Sequence, residues 1–148
     1  MKATGKGFSL LELIIALGVA GIIATFAIPA YRTHIAKAHR LDAAALMRAV
    51  QFVETSRLSQ TPGGDVIALP AGMDRVPSGG GVAAIYALTL LLESASNGGY
   101  TIEAAPIASG AMQDDACGIF VIDATGSKTN HTNANEAARS SSCWTGKG

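Results

Sequence analysis

Most residues of this 148-residue chain that are capable of chemistry lack the partners that chemistry needs. Ser140, Ser141 and Ser142, read with His34, His39 and His131, form no recognisable nucleophile–base arrangement, and no nucleophile elbow is present. Gly79-Gly80-Gly81 lacks the lysine and fixed spacing of a phosphate-binding loop. Asp114 and Asp115 with Asp123 are a calcium candidate, but the ligand pattern of an EF-hand is missing and a solvated turn is the expected role. His34 and His39 stand five apart, which does not put them on one helix face, so metal ligation is not expected. No catalytic residue, cofactor or metal is therefore anticipated. Glu12 and the only two cysteines, Cys117 and Cys143, remain.

Glu12 is the sole charge in residues 8–31, FSLLELIIALGVAGIIATFAIPAY. A helix of that length crosses a hydrocarbon core of roughly 30 Å. Lys2 and Lys6 precede it with no acid, which favours a cytoplasmic N-terminal side. A carboxylate inside such a segment costs about 2.5–3.5 kcal/mol at the bilayer centre and less toward the interface. It calls for a cation, and a free α-amine would serve. A secretory signal peptide fits poorly, because no A-x-A-like site follows and the apolar run is long. A plain single-pass anchor leaves Glu12 unexplained.

Gly7-Phe8-Ser9-Leu10-Leu11-Glu12, with its basic leader and long apolar sequel, resembles the class III signal of type IV prepilins. The resemblance implies cleavage by a prepilin peptidase between Gly7 and Phe8 and N-methylation of Phe8. It also implies that Glu12, the fifth mature residue, meets the Phe8 amine of a neighbouring subunit. Gly18, Gly21 and Pro29 sit where pilins place helix-weakening residues. In physical terms each glycine weakens a helix by about 1 kcal/mol relative to Ala, and a proline removes a backbone hydrogen bond. Simple small-residue packing in lipid is the alternative reading of the glycines. Removal of Lys2 and Lys6 leaves two more acidic than basic side chains. A buried Glu12–amine pair would add little net stability, yet it would fix register, because an unpaired Glu12 is penalised.

These residues need a scaffold. Apolar residues make up 49% of the chain, charged residues 15%, and mean hydropathy is +0.31. Eleven Lys and Arg balance 11 Asp and Glu, which excludes a strongly basic nucleic-acid-binding domain and an acidic disordered tail, as the length excludes a multidomain enzyme. Residues 32–60 read as an amphipathic helix. Leu41, Ala45, Ala49 and Phe52 form one row, and Leu46, Val50 and Val53 the adjacent row, together expected to pack on a sheet. Arg32, Lys37, Arg40, Arg48 and Arg57 outnumber Asp42 and Glu54 there, and with His34 and His39 beside the membrane end the stretch reads as a phospholipid-facing basic collar. Gly- and Pro-rich residues 61–84 read as an irregular connection. Strands are expected over 85–93, 100–105 and 118–123, with a turn at Asn97-Gly98-Gly99 and another at Ala124-Thr125-Gly126. Residues 127–148 read as mostly polar loop. The class is α+β: a long N-terminal helix packed on an antiparallel sheet.

Cys117 and Cys143 would lie in an exported head. A disulfide, two buried free thiols and a redox pair are the possible readings. No C-x-x-C is present, and an even pair in an oxidising compartment reads as a structural disulfide. Closing a loop of about 27 residues is worth roughly 3.5 kcal/mol. A disulfide-closed C-terminal loop is also a mark of type IV pilins. Gly99-Tyr100-Thr101-Ile102-Glu103-Ala104-Ala105-Pro106, Gln113-Asp114-Asp115-Ala116-Cys117-Gly118, Ile122-Asp123, Gly126, Cys143-Trp144, Arg40-Leu41-Asp42-Ala43-Ala44 and Glu54 resemble the PilE/ComP group of minor pilins. Trp144 is expected to pack rather than to present a binding platform.

The resemblance implies a leader (1–7), a transmembrane and filament-core helix (8–31) and a periplasmic head (32–148). The implied function is that of a minor type IV pilin, held in the inner membrane by a single span and then moved to a cell-surface pilus. Its implied partners are major and minor pilins, prepilin peptidase, the inner-membrane assembly platform, membrane lipid and, in one reading, DNA. The fibre would serve assembly, twitching motility, adhesion or DNA uptake. A ComP-like DNA-uptake receptor, a major pilin and a type II secretion pseudopilin are the alternatives. Residues 61–148 are net acidic, which opposes generic phosphate attraction. Lys128, His131, Arg139 and Lys147 are the candidate DNA contacts, weighed against a solvated loop shaped for neighbouring pilins. Two substitutions test the N-terminal reading. Gly7→Ala is expected to leave the full-length precursor on a denaturing gel, and Glu12→Ala to be processed and membrane-inserted but depleted from fibres. Normal processing of the first, or normal incorporation of the second, contradicts it.

Overall fold

The computed structural model describes residues 7–60, 68–79, 81–92, 99–131 and 140–146. Backbone contacts divide the chain into two units, Met1–Ile35 and Ala36–Gly148. A single helix, α1 (Leu10–Gln60), supplies all of the regular structure described in the first unit. It opens with the Leu13 N–H donating to the Ser9 carbonyl at 3.2 Å. Pro29 lies inside it and leaves the preceding turn one donor short. Two threonines bond back to the helix nearby: Thr25 Oγ1 donates to the Ile22 carbonyl at 2.7 Å and Thr33 Oγ1 to the Pro29 carbonyl at 3.0 Å. The helix continues through Gly18, Gly21 and Pro29 without interruption.

The second unit packs the C-terminal part of α1 on a five-stranded antiparallel sheet of order β1-β2-β3-β4-β5. The strands are β1 (Arg75–Val76), β2 (Tyr86–Leu92), β3 (Tyr100–Pro106), β4 (Ile119–Asp123) and β5 (Lys128–His131). A short helix, α2 (Ser140–Trp144), follows. Opposed residues include Leu90 and Ile102, Ile102 and Ile122, and Phe120 and Asn130. The period-2 alternation puts Tyr86, Leu88, Tyr100, Ile102, Ala104, Phe120 and Ile122 into the core, against Ala43, Ala44, Met47 and Val50 of the helix. Tyr86, Phe120 and Trp144 form an edge-to-face series, with ring centroids 6.0 Å and then 5.2 Å apart.

The class and the three expected strands agree with this fold, and four details differ. The buried face of α1 is Arg40, Ala43, Ala44, Met47, Val50 and Glu54; of the two expected rows, Leu46, Val50 and Val53 are buried or half-buried, whereas Leu41, Ala45, Ala49 and Phe52 stay exposed. Leu41 stays 45% exposed and Phe52 74%. A hydropathy-based row passes over Arg40 and Glu54, whose charges are met inside the fold. Arg40 and Arg57 therefore do not belong to a lipid-facing collar: Arg40 is buried, and Arg57 Nη1 donates to Glu54 Oε1 at 2.8 Å. The connection 61–84 contains β1, too short and too polar at Arg75 to show a period. The segment 127–148 contains β5 and α2, because pairing with β4 and packing of Trp144 hold these two elements where propensity alone would leave loop. The turn residues Asn97 and Gly98 lie outside the described residues.

Two core tyrosines differ in one respect. The Tyr100 hydroxyl donates to the Gln51 carbonyl at 3.0 Å and lies 2.9 Å from Thr55 Oγ1. The Tyr86 hydroxyl is buried without a hydrogen-bond partner. Burial, and next the nearby Asp115 charge, push its ionisation far above the ordinary range. Tyr100→Phe is expected to cost about 1 kcal/mol in chemical denaturation, whereas Tyr86→Phe is neutral or stabilising. Equal losses would contradict this reading.

Candidate functional site

The first candidate site is the N-terminal end of α1. Gly7 is exposed, and a Cβ added there would meet nothing within 4 Å. The fold therefore does not require a glycine at 7. The same holds for Gly18 and Gly21. Phe8 is 83% exposed, and Glu12 lies in the first turn of α1, also exposed. Leu10, Leu13, Ile14, Leu17, Ile22 and Phe26 are all exposed as well. α1 is long and apolar enough to cross a membrane, and its most apolar stretch is not buried. Such a surface requires lipid or other chains to cover it.

The second candidate site is the disulfide-closed end of the head. Cys117 and Cys143 are bonded, with Cα atoms 5.8 Å apart. Arg40 of α1 holds the start of this loop: its Nε donates to both Asp115 carboxylate oxygens, at 3.1 and 3.0 Å, and Nη2 donates to Oδ1. The arginine side chain is 10% exposed and the aspartate 5%. Asp115 Oδ2 also accepts from the Cys117 N–H at 3.3 Å. Asn130 Nδ2 of β5 donates to the Cys117 carbonyl at 3.1 Å, and Trp144 Nε1 to the Thr129 carbonyl at 3.3 Å. Gly118 takes the left-handed φ of 59° that turns the chain into β4. One chain of contacts thus links α1, the β3–β4 loop, β5 and α2.

This geometry corrects the acidic-turn reading. Asp115 is the counter-ion of a buried arginine and not a solvated turn residue. Asp123 Oδ1 accepts from the Thr125 N–H, Thr125 Oγ1 and the Ser127 N–H at 2.9, 2.6 and 2.9 Å, closing the β4–β5 turn. Among the described residues, no three His, Cys, Asp or Glu side chains are grouped to hold a metal.

Of the four candidate DNA contacts, Lys128 and His131 lie within the described residues, both on β5. Lys128 Nζ lies 5.9 Å from the centroid of the buried Trp144 ring. His131 lines a groove of about 270 Å³ on the sheet face away from the core, with Glu103 and Asp123 in the same lining. Two carboxylates beside one histidine do not attract a phosphate backbone. Arg139 and Lys147 lie outside the described residues. The Arg40–Asp115 pair was invisible to sequence reasoning. Its members stand 75 positions apart, and only the odd placement of an arginine among Ala43, Ala44 and Met47 hinted at it.

Residues 29–121 match the family described as "Type IV minor pilin ComP, DNA uptake sequence receptor", and residues 4–28 match the prokaryotic N-terminal methylation motif. Curated relatives include a type IV major fimbrial protein FimA of Dichelobacter nodosus, 46% identical over 46 residues, which are 31% of this chain and 29% of the relative. FimA of Dichelobacter nodosus strain VCS1703A is 54% identical over 37 residues, 25% of this chain and 23% of the relative. The matched stretch is thus under a third of each relative's length. The family match is broader: it runs from α1 into β4, through the part of the head that Arg40 and Asp115 join, and by it this chain belongs to the ComP family of type IV pilins.

Proposed function

We propose that the chain is a minor type IV pilin, made as a prepilin, cut after Gly7 by prepilin peptidase and methylated on Phe8. The exposed apolar stretch of α1 carries this reading. Among the described residues this stretch is exposed, and it directly follows a glycine that the fold does not need. Before assembly, lipid of the inner membrane covers this stretch in a single span, with the head in the periplasm. Afterwards other pilins cover it, and the assembly platform effects the transfer. Glu12 selects the second state, because the Phe8 amine of a neighbour gives it the cation that lipid does not. The resulting fibre serves assembly, twitching, adhesion or DNA uptake.

One observation favours a second reading, a receptor for incoming DNA: the description of the matched family names that activity. The match ends at Val121, before Lys128 and His131. The described groove there carries Glu103 and Asp123, so the fibre-subunit reading stands first.

Mass spectrometry of sheared surface pili separates the possibilities. The chain is expected as a small fraction of the fibre relative to the most abundant pilin. Dominance would make it the major subunit, as the relatives' name has it for them. Absence from fibres, with processed protein in the envelope, would make it a pseudopilin. For the DNA reading, the affinity of the processed chain for duplex DNA is measured against salt. A steep loss of affinity with salt, weakened by Lys128→Glu, supports a receptor, and no binding at low salt removes it.

A further inference from the structure

The side of α1 turned away from the core is apolar too. The helical period puts Ala38, Leu41, Ala45, Ala49 and Phe52 there, and all of them are exposed. The two flanks of this stripe are different. On one flank lies exposed Asp42, at the mouth of a groove of about 410 Å³ lined by Asp42, Ala45, Leu46, Val76, Pro77 and Ser78. On the other flank lies exposed Arg48, four positions before Phe52. Among the described residues, neither Asp42 nor Arg48 has an ion-pair partner. One flank therefore offers a carboxylate beside an apolar slot, and the other a guanidinium one helical turn before an exposed aromatic ring.

We infer that these flanks dock on each other between successive copies of this chain: Arg48 of one copy pairs with Asp42 of the next, and Phe52 fills the groove under Val76 and Pro77. The inference rests on the fibre-subunit reading and deepens it. With the helices parallel, as subunits sharing one membrane must be, a shift of six positions, about 9 Å, brings Arg48 level with Asp42. The same shift brings Phe52 level with Leu46, which lines the groove. Both contacts are thus met by one displacement. The contact is heterologous, because the two surfaces are different patches of one chain, and repetition of it extends a filament rather than closing a pair. Since the complement is carried by this same chain, copies enter the fibre in runs rather than singly.

The test compares four full-length chains in sheared pili: unaltered, Asp42→Arg, Arg48→Asp and both together. Both altered positions, 42 and 48, are exposed, so folding is not at issue. Each single reversal is expected to lower incorporation about tenfold through like-charge contact, and the double reversal to restore it. A chain carrying Asp42→Cys and Arg48→Cys, oxidised within isolated fibres, is expected to give a ladder of multimers that neither single cysteine gives. Wild-type incorporation of the single reversals, or no ladder, overturns the docking while the fibre reading stands. Absence of the unaltered chain from fibres overturns the fibre reading, and the docking with it.

Discussion

The head depends on a charge pair that hydrophobic packing alone would not place. Arg40 stands in the face of α1 that otherwise packs Ala43, Ala44, Met47 and Val50 on the sheet. A buried guanidinium there is tolerable only because Asp115 meets it with both oxygens. That requirement fixes the β3–β4 loop against one turn of the helix. Asp115 also accepts from the Cys117 N–H, so the position of the first cysteine follows. With Cys117 fixed, the disulfide sets Cys143, and Asn130 and Trp144 fasten β5 and α2 around it. β5 and α2, which have little core of their own, are held in this way.

The same helix serves two environments. Its C-terminal part has one face in a core and one apolar face still open, while its N-terminal part is apolar and exposed throughout. An amphipathic helix of a finished globular protein has a polar outer face. The absence of one here suits a chain whose second surface is completed by neighbours. Glu54 adds a constraint near the end of α1: it is fully buried, with one oxygen on Arg57 and the other without a hydrogen-bond partner. Gln51 Nε2, donating to the Asp123 carbonyl at 3.0 Å, holds the β4 end of the sheet to the same stretch.

Much of this was legible in the residues. The long apolar run pointed to the helix, the alternation over 86–92 and the Asn97-Gly98-Gly99 turn signal to the first two strands, and the cysteine pair of an exported head to the disulfide, chosen over free thiols and a redox pair because no C-x-x-C is present. The helix face was misread for a physical reason. Hydropathy ranks Leu41 and Phe52 above Arg40 and Glu54, yet the buried charges are held by Asp115 and Arg57 while the apolar pair stays open. β5, Lys-Thr-Asn-His, has no apolar residue and exists through pairing with β4. Gly7, Phe8 and Glu12 form a group only through the resemblance to the prepilin signal, and the fold itself makes no demand for a glycine at 7.

The most direct test of the central constraint is denaturation of the full chain in detergent with Arg40→Ala, Asp115→Ala and the joint Arg40→Met and Asp115→Leu change. If the buried pair holds the head together, each single change costs about 3–5 kcal/mol, and the joint apolar replacement recovers most of that loss. Single losses below about 1 kcal/mol, the size of an exposed ion pair, would contradict the account.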